Sequence, residues 1–274
     1  DRGGTVTGRF SYYHPNLQQI PSRGQFAQDI RKLFIPERGD FWLKADYSQQ
    51  EPRLLTHFAR LIDQPGSREV QEAYKQKDLD FHKQTADMAG VERKLAKTIG
   101  LGVMYGMGYN KLAVELDMEP QEAKKMLQDF HGKVPFMKGM LEAVMNRANT
   151  KGVIRTLLGR KCRFDLWEPT SWGVHKALPL NQAQTEYGMA IKRAHTYKAL
   201  NRLIQGSAAD QTKKAMVDVY EQLGIIPLIQ VHDELDCSIK NEKQGNEVKE
   251  VMENCIKLEV PSKVDIEVGE SWGK

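Results

Sequence analysis

The sequence has no long apolar runs. No stretch of about 18 apolar residues occurs, so no transmembrane helix is expected. It is also poor in cysteine. Cys162, Cys237 and Cys255 are widely scattered and form no CxxC pair. That spacing excludes a disulfide framework and a cysteine zinc site, and it suggests a reducing compartment. An excess of one charge is missing as well: 40 Lys and Arg stand against 36 Asp and Glu, a formal net charge of +4. With 40% hydrophobic and 28% charged residues, the chain is no disordered polyelectrolyte. No internal repeat or low-complexity segment is visible. The chain opens on Asp1-Arg2-Gly3-Gly4, with neither an initiator Met nor a signal peptide. A processed chain or a fragment is the expectation. The length of 274 residues allows one large domain or two modest ones.

The near-neutral total hides an uneven distribution. Arg93 to Arg163 holds 14 Lys and Arg against 6 Asp and Glu, a local net of +8. Asn241 to Lys274 holds 5 Lys against 8 acidic residues, a local net of −3. A basic middle beside an acidic end suggests one surface that meets an anion, nucleic acid among the options. A solvated helical face fits the same count.

Local patterns give a mixed succession of elements. Phe41 to Asp46 reads as a strand. Gln50 to Leu61 reads as a helix, with Ser48 as N-cap and Pro52 tolerated in the first turn. Residues 62–82 are polar and hold a Pro65-Gly66 turn. Helices are expected from Val91 to Tyr105, from Met118 to about His131, and from about Pro135 to Thr150. Val153 to Leu158 fits a strand. Phe164 to Ala183 looks like an irregular insertion. Ala183–Leu203 and Ala208–Leu223 read as two helices. Ile225–Val231 and Leu235–Ile239, joined by His232-Asp233-Glu234, carry a hairpin signal. Glu242–Leu258 reads as a helix and Val264–Val268 as a strand. Strands early and late with helices between them predict an α+β fold, a sheet platform with a helical subdomain.

Two features carry chemistry. Asp46 ends the first strand and Asp233 sits at the hairpin tip. Carboxylates at strand ends can hold divalent cations, and Mg²⁺ typically takes one or two of them alongside substrate phosphates. A pair of ions about 4 Å apart would clamp both oxygens of a phosphoryl displacement. An Asp at a hairpin tip is also an ordinary turn residue. The second feature is a stripe: Arg93, Lys97, Leu101 and Tyr105 recur every four residues, along one helix face. Cations followed by apolar and aromatic side chains match a triphosphate with a base attached. A helix with Leu101 and Tyr105 packed inward would show the same spacing. Gly100, Gly102, Gly106 and Gly108 weaken this helix, which suits a place where backbone moves or approaches a ligand.

Taken together, the segments resemble family A DNA polymerases, the bacterial DNA polymerase I class. Asp46-Tyr47-Ser48-Gln49-Gln50-Glu51-Pro52-Arg53 resembles motif A, Arg93 through Gly106 the motif B finger helix, and Gln230-Val231-His232-Asp233-Glu234 motif C. Thr7-Gly8-Arg9-Phe10-Ser11, Asp80-Phe81-His82, Thr156 to Arg160, Gln205 to Asp210 and the closing Gly269-Glu270-Ser271-Trp272 have counterparts in the same order. The resemblance covers nearly the whole chain.

It implies a right-hand polymerase fold: a palm of residues 1–62 and 153–274 with an antiparallel sheet, and helical fingers of residues 63–152. Thumb and 3′–5′ exonuclease-like domains would be absent, lost or held by a separate chain. The implied activity is DNA-directed DNA polymerisation, adding dNTPs to a primer 3′-hydroxyl and releasing pyrophosphate. Asp46, Asp233 and the Tyr47 carbonyl would hold two Mg²⁺ ions, with Mn²⁺ as a substitute. Arg93, Lys97, His82 and Gln49 would bind the triphosphate, and Lys97 would donate a proton to pyrophosphate. Glu51 would exclude a 2′-hydroxyl by its bulk and by pairing with Tyr105. Leu101 would pack on the incoming base. Arg9, Asn201, Gln205, Gln230 and His232 would touch primer–template DNA, largely in the minor groove, whose acceptors all base pairs share. Glu234 fills the last motif C position in a secondary role. No membrane is implied, and the implied location is the cytoplasm of a bacterial cell or phage-infected host, with an organelle as the alternative.

The sequence departs from the family pattern at several points. Gln50 and Pro52 stand where apolar residues are usual, Gly100 where Asn is common, and Leu101 where an aromatic is usual. Losing that aromatic is expected to weaken base packing. Two other readings remain: a non-catalytic nucleic-acid-binding fragment that needs a separate thumb-bearing chain, and the use of an RNA template.

Overall fold

The computed structural model describes residues 4–76, 79–171 and 173–273. Along the chain the helices are α1 (Ala27–Arg31), α2 (Gln50–Leu61), α3 (Ser67–Lys75), α4 (Phe81–Ala89), α5 (Arg93–Met104), α6 (Tyr109–Leu116), α7 (Pro120–Lys133), α8 (Pro135–Lys151), α9 (Leu180–Tyr187), α10 (Ala199–Leu223) and α11 (Glu242–Asn254). The strands are β1 (Phe41–Tyr47), β2 (Val153–Arg155), β3 (Lys161–Arg163), β4 (Leu166–Pro169), β5 (Leu178–Pro179), β6 (Ile191–Arg193), β7 (Pro227–Val231), β8 (Glu234–Ile239) and β9 (Val264–Gly269). Packing divides the chain into two compact units, Asp1–Leu54 with Gln205–Lys274, and Leu55–Ile204.

The first unit is built on a four-stranded antiparallel sheet in the order β7-β8-β1-β9. Strand side chains alternate between faces. Leu43, Ala45 and Tyr47 of β1 therefore join Leu235, Cys237, Ile239 and Val264 on one face, where Ala215 and Val219 of α10 and Val248 and Met252 of α11 complete the core. The Tyr47 hydroxyl donates to the Met252 carbonyl at 2.7 Å and pins β1 to α11. The opposite face carries Trp42, Lys44 and Asp46, and a smaller apolar group of Trp42, Ile229, Trp272, Ile20 and Phe34 covers part of it. Gln50, unusual for its position, is buried, and its amide donates to Gln211 Oε1 and Thr212 Oγ1, both at 3.2 Å. A buried amide with partners avoids the cost of an unsatisfied one.

The second unit is mostly helical. Phe81 stacks near Tyr74 and meets Phe136 edge to face at 6.3 Å. β2 pairs with β3, and a small sheet runs β5-β4-β6. Residues 153–204 pack with the helices of this unit.

Several local expectations are corrected. The polar stretch 62–82 contains α3, whose Val70 and Tyr74 turn inward one helical turn apart. Helix α6 follows Gly108, where glycines had suggested only disruption. Residues 183–203 are not one helix: the chain turns at Gly188 (φ 73°) and His195 (φ 61°), with β6 between them. Conversely α10 runs unbroken through Gly206, because Ala199, Ala208 and Ala215 are buried along it. The supposed irregular insertion holds β4 and β5. The expected α+β class stands.

Candidate functional site

Antiparallel pairing brings the two distant carboxylates together. Asp46 lies opposite Glu234 on β8 and opposite Asp265 on β9. The Tyr47 N–H donates to the Asp233 carbonyl at 3.2 Å, tying the end of β1 to the two-residue turn His232-Asp233. His232 takes a left-handed φ of 57°, which closes that turn tightly. Burial, then the charges of Asp233, Glu234 and Asp265, push the Asp46 carboxyl up to about 7, with Lys44 opposing. Burial also raises Asp233, with the Glu51 charge adding to it and its own backbone N–H, Arg9 and His232 opposing. Buried like charges that disfavour ionisation are relieved by a cation. Two oxygen donors of this kind beside a backbone carbonyl fit Mg²⁺ or Mn²⁺. Among the described residues no group of three or more His, Cys, Asp or Glu is arranged for a metal.

Glu234 is engaged elsewhere: its Oε1 accepts from the Trp272 indole at 3.1 Å. Glu51 accepts from Arg9 at 2.6 Å in a largely shielded ion pair. Arg9, Gln230 and His232 line one small concavity together with Phe10, Gln18 and Lys213. Gln230 is held on both sides: it donates to the His232 carbonyl at 2.6 Å, and its Oε1 accepts from Gln18 at 3.4 Å. Lys213 lies 4.5 Å from the centre of the Phe10 ring. Lys213 carries no sequence signal of its own. Gln49 sits in the left-handed region (φ 55°) just before α2. Asn201 and Gln205 lie one turn apart on α10, both half-buried.

The second unit presents the stripe. On α5, Ala96, Ile99, Gly100, Val103 and Met104 are buried. Arg93, Lys97 and Tyr105 are exposed and Leu101 is partly so. The stripe is thus the open face of α5, and Leu101 and Tyr105 are not its core side. Asp80 caps α4 by accepting from the N–H groups of His82 and Lys83, and its other oxygen accepts from Arg93 Nε at 2.6 Å. One carboxylate therefore fixes both the start of α4 and the base of the stripe. Sequence reasoning quoted Asp80 within a motif but gave it no role; its place one residue before an apolar helix start was the available signal. His82 is half-buried, and its Nδ1 has no hydrogen-bond partner among the described residues. Burial lowers its pKa, Asp80 opposes, and Lys97 and Arg93 add to the lowering. A neutral imidazole beside two cations suits an anionic visitor. Gly106 (φ 73°) is required where it stands, because a Cβ there would collide with the Tyr197 carbonyl.

Comparison with known proteins adds the following. The description of DNA polymerase family A matches residues 2–274. The chain is similar to a DNA-directed DNA polymerase of Pseudomonas phage M6, with 38% identity over 98% of this chain and 44% of that protein. It is similar to the thermostable DNA polymerase I of Thermus aquaticus, with 33% identity over 98% of this chain and 31% of that protein. It therefore spans less than half the length of these relatives. Its fold is similar to the POL domain of Pol1 from M. smegmatis, solved in complex with DNA primer-template and dNTP. That likeness has a TM-score of 0.79 at 31% identity, over 98% of this chain and 46% of that one.

Proposed function

Since the chain belongs to DNA polymerase family A, we propose that it carries out template-directed DNA synthesis, joining dNTPs to a primer 3′-hydroxyl and releasing pyrophosphate. The observation that carries this reading is the convergence of Asp46 and Asp233 at adjoining strand ends, both buried, with the Asp233 charge adding to the ionisation cost of Asp46. Asp46, Asp233 and the Tyr47 carbonyl would hold two Mg²⁺ ions, or Mn²⁺ in their place. When bound, such ions supply positive charge that acidifies the primer hydroxyl and neutralises the triphosphate.

The chain's own residues do the binding and orienting. Arg93 and Lys97, exposed on α5, take the triphosphate, and Asp80 holds the Arg93 fork in place. A guanidinium held this way loses less freedom when it meets a phosphate. His82 and Gln49 complete the cradle, and Lys97 gives a proton to the departing pyrophosphate. Leu101 covers the incoming base. Glu51, with Tyr105, excludes a ribose 2′-hydroxyl, and Arg9 keeps the Glu51 carboxylate fixed. Arg9, Gln230, His232, Asn201 and Gln205 follow the minor groove of primer–template DNA. Gln18 and Lys213, in the same concavity as the first three, join them. Residues 1–62 and 153–274 serve as palm and 63–152 as fingers. A separate thumb-bearing portion would grip the duplex, and the reaction would take place in a bacterial cell or phage-infected host, a reading that the bacterial and phage relatives support.

Primer extension tests the reading. The chain is incubated with primer–template, Mg²⁺ and either dNTPs or rNTPs, on DNA and on RNA templates. Extension with dNTPs on DNA is expected; DNA binding without extension would leave a non-catalytic binding fragment instead.

A further inference from the structure

A second carboxyl network lies behind the turn. On β8, Glu234 and Asp236 share the face that carries Asp46. Asp236 is fully buried, although it is acidic and lies within an exposed-looking Glu-Leu-Asp pattern. Its Oδ1 accepts from the Trp42 indole at 2.9 Å. Its Oδ2 is buried and has no partner at full hydrogen-bond distance among the described residues. Glu234 stands at the edge of that reach and itself accepts from the Trp272 indole. Trp42 and Trp272 stack at 6.4 Å, and the Arg31 guanidinium lies 4.1 Å over Trp272. Two indole donors thus clamp two carboxyls two residues apart on the strand that begins just after Asp233.

We propose that Asp236 is a positioning residue for nucleotidyl transfer: anchored on Trp42, it steadies Glu234 and keeps the turn bearing Asp233 in register with Asp46. This rests on the polymerase reading above. A buried acid with one free oxygen is costly unless it is neutral or paired. The groups around it are Glu234 on its own strand, Lys44 directly opposite on β1, Trp42 beside Lys44, and the apolar Ile229 on β7. Lys44 is drawn away to Glu267 on β9 at 3.1 Å. Burial, then the Glu234 charge, push the Asp236 carboxyl up to about 8. At neutral pH such a carboxyl is mostly protonated and adds little charge to a face already crowded with carboxylates.

Three variants of the full chain test this: Asp236→Asn, Asp236→Ala and Trp42→Phe. Asn keeps an acceptor for Trp42 and a donor toward Glu234, so Asp236→Asn extends primers at the parent rate at pH 7. Asp236→Ala lowers kcat by about 10-fold with the dNTP KM unchanged, since small misplacements of reacting groups cost rate. Trp42→Phe falls between them. Tryptophan emission gives a readout independent of turnover. The parent shows a transition near pH 8, and Asp236→Asn lacks it. Should Asp236→Ala fail to fold, the parent-to-Asn rate ratio decides, and it drops above pH 8. Parent-like kcat in folded Asp236→Ala, or an emission transition that persists in Asp236→Asn, overturns the proposal. A parent chain that extends no primer defeats the polymerase reading, while the emission titration still decides the state of Asp236.

Discussion

The backbone N–H of Tyr47 donates to the carbonyl of Asp233 at 3.2 Å. This bond joins the end of β1 to the turn between β7 and β8, and it holds Asp233 beside Asp46. The two carboxylates are far apart in sequence and adjacent in space because β8, not β9 or β7, is the strand that shares an edge with both β1 and β7. The proposed chemistry depends on that strand order.

Asp80 links the start of α4 to Arg93, the residue proposed to bind the triphosphate. Burial pushes its carboxyl up, but hydrogen bonds from Arg93 and from the Lys83 and His82 N–H groups outweigh burial, and its pKa is lowered. A lowered folded pKa means the contribution is present above the unfolded value near 3.8 and is lost as pH falls through the folded pKa. Asp80→Ala is expected to cost about 1 kcal/mol at pH 7, the usual cost of a lost N-cap, and less at pH 3. Urea denaturation at the two pH values checks this. The same variant frees Arg93 and raises the dNTP KM.

Gly106→Ala is expected to destabilise the chain by about 2–4 kcal/mol, because φ is 73° and the added Cβ meets a backbone carbonyl that cannot swing aside. Gly108→Ala, which meets open space, is the control and is expected to fall within about 0.5 kcal/mol of the parent after allowing for propensity. Denaturation midpoints compare them.

Glu51→Ala removes the carboxylate that Arg9 holds at 2.6 Å. Ribonucleotide incorporation relative to deoxyribonucleotide incorporation is expected to rise by about 10-fold, the scale of a small added group in a fitted site. Competition between rNTP and dNTP on one template measures the ratio. An unchanged ratio would remove Glu51 from the sugar-selecting role.

Much of this was legible because local signals and fold agreed. The Asp46 strand, α2 and the late hairpin form where the sequence predicts them, although Gln49, not Ser48, holds the N-cap position of α2, its carbonyl accepting from the Arg53 N–H at 3.1 Å. The stripe on α5 was visible from four-residue spacing, but which side faced outward was not, since burial of Ala96, Ile99 and Val103 depends on α4 and α8. The network behind the turn was hidden for a related reason. Glu234-Leu235-Asp236-Cys237 alternates like a half-exposed strand, and only the packing of Phe34, Trp42 and Trp272 over that face buries the acid. Helix α10 runs through Gly206, a poor helix former, where the sequence reads as two helices; buried alanines on either side override its propensity.

The most direct test of the central claim compares primer extension by the parent, Asp46→Ala and Asp233→Ala, at saturating primer–template and dNTP with Mg²⁺. The parent is expected to extend. Each variant is expected to lose at least about 1000-fold in rate, as when charge stabilisation is removed from phosphoryl transfer, while still binding primer–template. Extension by either variant at the parent's rate would contradict the assignment of these two carboxylates.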